Sequence, residues 1–163
     1  MTHTELMADV LTRNANILKM TVADFSDEDL LTRPVPGANH ATWQLGHLVA
    51  SASHLVGAVA PDVVPAPLAS FGEKFSGKTA NVDDPAFFPK RAELLEAFSQ
   101  AYDAAAGWVR TLTPEDLLRP TPGRMAEYAP TVGHLALMLA SHIMMHVGQM
   151  QVTRRRLGKP LLF

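Results

Sequence analysis

The sequence predicts an all-α protein, a four-helix bundle built from two helix–loop–helix halves with a long crossover between the second and third long helices. Three observations carry that prediction. Apolar residues recur at helical spacing in four separated segments, and no segment shows strand-type alternation. An acidic motif, Asp27-Glu28-Asp29-Leu30-Leu31 running to Pro36-Gly37, returns as Pro114-Glu115-Asp116-Leu117-Leu118 running to Pro122-Gly123, and Gly46-His47-Leu48 returns at nearly the same spacing as Gly133-His134-Leu135. Between the halves, residues 61–89 carry Pro61, Pro65, Pro67, Pro85 and Pro89 with Gly72 and Gly77, a composition that breaks both helix and strand.

The first predicted helix runs from Glu5 to Phe25, with Leu6, Val10, Leu11, Ile17, Leu18 and Val22 on one stripe. The second begins at Asn39 or Thr42, either of which is a good N-cap, and is apolar on most sides until Val59, where Pro61 stops it. Lys90 to Leu112 forms the third, through Leu94, Phe98, Tyr102, Trp108 and Val109. The fourth spans Thr131 to Leu157, with Arg154, Arg155 and Arg156 in its last turn, Gly158 at the stop and Pro160 beyond. Ser26 and Thr113 precede the repeated acidic turns and are the expected N-caps of two short extra helices, Pro114 taking the first helical position of the second.

A chain of 163 residues is the size of one domain, here residues 1–163. Hydrophobic residues make up 47% and charged residues 18%, which is too apolar for disorder. The net charge of -2 supplies no general attraction to nucleic acid or acidic membranes. The most apolar stretch, Val132 to Val147, is interrupted by Gly133, His134, Ser141, His142 and His146, so no membrane span is expected. The leading MTHTELMADVLTRN lacks the apolar run of a signal peptide, and the cytoplasm is the expected compartment. Without cysteine there is no thiolate nucleophile, redox pair or cysteine zinc site, and any transition metal must rest on imidazole and carboxylate.

Seven histidines are therefore the informative part of the composition. His142 and His146 stand four apart on the fourth helix, on one face, where both rings reach a common point. Leu135, Leu139, Ile143 and Val147 surround them, and burying neutral imidazoles without partners costs about 1–3 kcal/mol each. A metal ion removes that cost; so does a pair of hydrogen-bonded core histidines. A third ligand has to come from another helix, where His47 and His54 lie seven apart on nearly one face, and either closes a site. Ile143 follows His142, so this is not the HExxH of a zinc protease, and no Glu-x-x-His supports a di-iron bundle.

The run Trp43-Gln44-Leu45-Gly46-His47-Leu48, followed by His142-x-x-x-His146-x-Gly148-Gln149 and then by Arg154-Arg155-Arg156-Leu157-Gly158-Lys159-Pro160, resembles the DinB-like (DinB/YfiT) superfamily of metalloenzymes over nearly the whole chain. The resemblance implies His47, His142 and His146 as metal ligands, a bundle with a long crossover, a divalent metal such as zinc or nickel, and a homodimer. It further implies a metal-dependent hydrolase, or a transferase or isomerase that uses a low-molecular-weight thiol such as mycothiol or bacillithiol, acting on a small-molecule substrate. A non-catalytic metal- or ligand-binding bundle is the alternative, and a structural dimer with buried histidines is a third.

The repeat, with its halves related by a pseudo-twofold, places His54 near His134 rather than near the HxxxH pair, as a hydrogen-bonded pair or a degenerate second site. His3 and His40, at element ends, are expected in solvent, as are Arg154, Arg155 and Arg156. Met138, Met144, Met145 and Met150 are expected in the core or on a dimer face. Trp43 and Trp108 are expected as anchors of the bundle, with Trp43 close enough to His47 to line a pocket. Phe71, Phe75, Phe87 and Phe88 are expected to fold the crossover over the mouth of the site as a lid, or into a subunit interface.

Overall fold

A computed structural model describes residues 1–162, apart from the side chain of Pro67. Its seven described α-helices are α1 (His3–Thr21), α2 (Asp27–Leu30), α3 (Ala41–Gly57), α4 (Phe71–Lys74), α5 (Arg91–Thr111), α6 (Pro114–Leu118) and α7 (Val132–Arg156), with 3-10 turns at Ala66–Ser70, Gly77–Thr79 and Gly123–Glu127. No strand occurs among the described residues; an isolated bridge pairs Pro120 with Thr131. The chain is therefore all-α. No helix among the described residues is long and apolar enough to cross a membrane.

The predicted long helices are α1, α3, α5 and α7, and their ends follow local chemistry. Thr2 caps α1 in a capping box with Glu5, which starts the helix ahead of the expected Glu5. Both short helices form as expected. Ser26 accepts from the Asp29 amide and Thr113 from the Asp116 amide, while the carboxylates of Asp29 and Asp116 accept from the cap amides in return. The glycines closing the repeated motif, Gly37 and Gly123, have φ of 81° and 66°, the left-handed region that a Cβ disfavours by about 1–2 kcal/mol. The next repeated glycine is a close approach: a Cβ on Gly46 would lie 2.2 Å from the ring of Phe75.

Helix α1 packs on α5 and α7, and α3 packs on the same two helices. Leu11 and Leu18 of α1, Leu45 and Leu48 of α3, Leu94 and Phe98 of α5, and Leu135 and Leu139 of α7 are all fully buried between them. The Tyr102 hydroxyl donates to the Leu48 carbonyl at 3.3 Å, and Asn14 Nδ2 to the Ala140 carbonyl at 2.9 Å, so polar atoms cross both seams without being orphaned.

The segment 61–89 does not float. Helix α4 and the Ala66–Ser70 turn lie against α3. Phe75 and Phe88 are core residues, stacked at 5.6 Å, with Phe71 and Phe87 packed around them at 5.4 and 4.9 Å. Arg33 ties the same segment down, pairing with Asp83 at 2.7 Å and donating to the Ala80 carbonyl at 2.9 Å.

Two side chains expected in solvent are buried. His40, rather than Asn39 or Thr42, is the N-cap of α3: its Nδ1 accepts from the Trp43 amide at 3.0 Å, so its Nε2 carries the proton and donates to the Val82 carbonyl at 3.0 Å. Burial, ahead of the opposing hydrogen bond to Val82, lowers its pKa. Arg154 is only 1% exposed. It pairs with Asp24, donates from Nη1 to the Thr21 carbonyl and from Nε to the Pro160 carbonyl at 2.8 Å each, and lies over the ring of Phe25. Its hydrogen bond to Asp24 holds that carboxyl below the ordinary range. Arg155 and Arg156 are exposed, as expected.

Replacing Arg154 by Ala removes these bonds and the packing of the stem. We expect a loss of about 2–4 kcal/mol in urea unfolding, partly recovered in Arg154→Met. His40→Ala removes both a cap and the anchor of the crossover, and is expected to cost about 1–3 kcal/mol, with His40→Asn restoring the cap but not the bond to Val82.

Candidate metal centre

Helices α3 and α7 each turn imidazole toward their common seam. His47 lies nearly two turns into α3, and the four-residue step from His142 to His146 keeps both rings on one face of α7. One nitrogen from each of the three rings lies within 4.8 Å of the others. The Nε2 atoms of His142 and His146 are 3.2 Å apart, and the ring of His47 meets those of His142 and His146 edge-on at 5.2 and 5.5 Å. His146 is 4% exposed, whereas His47 and His142 are half-buried.

The surroundings fix which nitrogen His146 presents. His146 Nδ1 faces two amide oxygens, Oε1 of Gln44 at 3.1 Å and Oε1 of Gln149 at 2.9 Å, and two acceptors on one ring nitrogen require that it carry the proton. Gln44 is itself oriented, because its Nε2 donates to the Asn39 carbonyl at 2.6 Å. The lone pair of His146 is thereby left on Nε2, which points at His142. His47 is held by Trp43, whose indole lies flat against it at 4.7 Å and 9°. That indole in turn donates to Thr79 Oγ1 at 3.2 Å.

All three rings are driven to the neutral form. Burial lowers His47. Burial, and then repulsion from His47, pushes His142 down to about 4; burial, and then repulsion from His142 and His47, pushes His146 down to about 3 against the favourable bond to Gln149. Neutral imidazoles with clustered lone pairs are what a metal ion requires. The spacing fits as well: zinc–nitrogen bonds of about 2.0–2.1 Å in tetrahedral geometry hold two ring nitrogens roughly 3.3 Å apart, close to the 3.2 Å between His142 and His146. The three residues can therefore hold one metal ion.

Beside the rings opens a pocket of about 860 Å³, reached by His47 and His142 and walled by residues of α3, of α7 and of the loop between α6 and α7, among them Met125 and Tyr128. No described residue of 61–89 lines it, so the crossover is not its lid. The physical reason is the close approach at Gly46, which lets Phe75 sink into the core on the other side of α3 and turns the crossover into the support of His47 and Trp43. Trp43 is buried behind His47 and does not line the pocket.

Of the remaining histidines, His54 is exposed on the pocket wall and His134 is exposed with its Nδ1 2.9 Å from Thr131 Oγ1. Among the described residues no hydrogen bond joins them, so the expected pair does not form: the second half of the repeat uses its histidine at the start of α7. Met150 is core, while Met138 and Met145 face the pocket. The sequence reading missed Gln44 and Gln149. Their signal was local: Gln149 follows His146 by three residues, and Gln44 precedes His47 by three, the spacing that places side chains on a shared helix face.

The model of the DinB superfamily matches residues 11–150 of the chain. A crystal structure of a conserved protein of locus from Enterococcus faecalis, 19% identical, superposes with a TM-score of 0.75 over 98% of this chain and 99% of that one, a likeness of fold. No curated protein matches. With the family model covering most of α1 through most of α7, the chain belongs to the DinB superfamily.

Proposed function

We propose that the chain is a divalent-metal protein whose ion, zinc or nickel, is held by His47, His142 and His146, and that it acts on a small molecule as a metal-dependent hydrolase or a thiol-dependent transferase. The observation that carries the reading is the convergence of three neutral imidazoles at the edge of a pocket large enough for a substrate. A divalent ion supplies a Lewis acid for a thiol, water or carbonyl substrate. The chain's own residues do the rest. Gln44 and Gln149 keep the Nδ1 proton of His146 in place. Trp43 holds the plane of His47. Ser51 Oγ, 3.4 Å from His47 Nε2 and on the pocket wall, is a hydroxyl at hand for orienting a substrate.

The helix contacts support a four-helix bundle in one domain, residues 1–163, with the crossover between α3 and α5. The homodimer and the cytoplasmic location implied by the resemblance are part of the same proposal. A second reading, a non-catalytic binding protein, is favoured by one observation: no carboxylate lines the pocket among its described residues, which leaves no strong general base beside the histidines. Turnover of a panel of small thiols and esters that is present in the wild type and absent in the histidine variants decides for the enzyme. Metal binding with no turnover decides for the binding protein.

His47→Ala, His142→Ala and His146→Ala are each expected to lose most bound metal after purification without a histidine tag, while His54→Ala and His134→Ala retain it. Gln149→Leu and Gln44→Leu should weaken metal affinity by about 10–100-fold, the usual cost of losing a ligand's hydrogen-bond partner. Metal content by mass spectrometry reads both sets.

Acid should release the metal later than it would from ordinary histidines. Because burial lowers all three rings, protons compete below the ordinary imidazole value of about 6.5, and at His142 only toward about 4. For the metal-free protein the same depression means that stability is complete above about 6.5 and is lost as pH falls from there, as the unfolded rings take protons that the folded ones refuse. Release centred near 6.5 would mean that the rings are solvated.

A further inference from the structure

The pocket beside the three histidines has a volume of about 860 Å³, inside the roughly 300–1,000 Å³ range of small-molecule sites. Its walls are more informative than its size. Leu55, Met125, Met138 and Met145 supply apolar surface, Tyr128 stands at the opening, and no Lys, Arg, Asp or Glu lines the pocket among its described residues. Polar groups concentrate where His47 and His142 reach the pocket. Of the two serines on the walls, Ser141 has its hydroxyl committed to the Leu137 carbonyl at 2.9 Å, and Ser51 lies against His47. Beyond the cluster, a ligand bearing several charges would find only the exposed His54 and the Tyr128 hydroxyl, and its other charges would lie against methionine and leucine, a large desolvation cost. Methionine is unbranched and adapts to the shape of an apolar guest. Tyr128 and Met145 are 74% and 50% exposed at this opening, so apolar surface is held in water around the one polar cluster.

Resting on the metal centre proposed above, we infer that the pocket takes an apolar small molecule that presents a single metal-coordinating head group to the histidine cluster, and that it disfavours small polar thiols carrying several charges. The head group meets the histidine cluster, and the tail covers the methionines. The substrate class is accordingly an aliphatic or aromatic acid, thiol or ester rather than a sugar-linked or peptide thiol.

The test uses the cobalt-loaded full chain, whose visible spectrum and metal content are measured first. Straight-chain hydroxamates from acetyl to octanoyl are titrated by calorimetry, with glutathione as the charged polar thiol. Binding is expected to tighten about two- to fourfold per added methylene until the pocket is filled, with glutathione weaker than octanohydroxamate. Tyr128→Asp and Met145→Asp, both at exposed positions, are expected to flatten that dependence while leaving cobalt content unchanged. A flat series in the wild type, or glutathione binding more tightly than octanohydroxamate, overturns the inference. A flat series combined with a dimer that Tyr128→Asp dissociates overturns it in favour of a second copy of the chain on this wall. Absence of a cobalt spectrum overturns the metal centre and the head-group half, and the chain-length series on the same protein still decides the apolar half.

Discussion

An imidazole placed inside a helix–helix seam must find a partner for each ring nitrogen, because an unpaired polar atom there costs about as much as several methylenes gain. His146 is where that constraint bites. Its Nδ1 is satisfied by Gln44 and Gln149, one from each helix of the seam, which fixes the distance and rotation of α3 against α7. Its Nε2 is then committed to the space shared with His142 and His47. Gln44 is fixed by the Asn39 carbonyl, and Asn39 belongs to the loop that follows the left-handed turn at Gly37. A backbone turn at the surface and a buried ring nitrogen are thus successive links of one hydrogen-bonded chain.

The repeat shows how two similar halves were put to different uses. Both have the capped acidic turn, and both turn back at a glycine of positive φ. At the next glycine they part. Gly46 leaves room for the ring of Phe75, whereas Gly133 faces the backbone of Leu117. The first half can therefore receive the crossover, and with it the supports of His47. The second half has no such insertion, and His134 remains at the start of α7, bonded to Thr131. One histidine position was built into a site and its counterpart into a helix terminus.

Features that depend on near neighbours along the chain are legible in the sequence. The long helices, the Ser26 and Thr113 caps and the clustering of His142 with His146 follow from spacings of three to four residues. That His47 rather than His54 would join the pair is not legible from spacing alone and needs the family resemblance; among the described residues it is His47 that lies with His142 and His146. What fails are statements about solvation. Whether Arg154 meets water depends on Asp24, 130 residues away, and whether His40 does depends on Val82, 42 residues away. Neither partner lies within a helical turn. The aromatic crossover misleads for a related reason: four phenylalanines show that a segment must pack, but not on which side of α3.

The Arg154 cluster also sets an order on assembly. Helix α1 is made before α3, α5 and α7, yet it packs chiefly on α5 and α7 rather than on its next long neighbour in sequence, α3. Its apolar stripe has no lasting cover until the chain has been synthesised through α7, whose last turn brings Arg154 to close over Thr21 and Asp24. Loops of that length close slowly, and apolar surface left waiting is what chaperones bind. The clasp between the ends of α1 and α7 is therefore the step that ends the exposure of α1, and any weakening of it prolongs the interval in which a newly made chain can be captured or can associate with another.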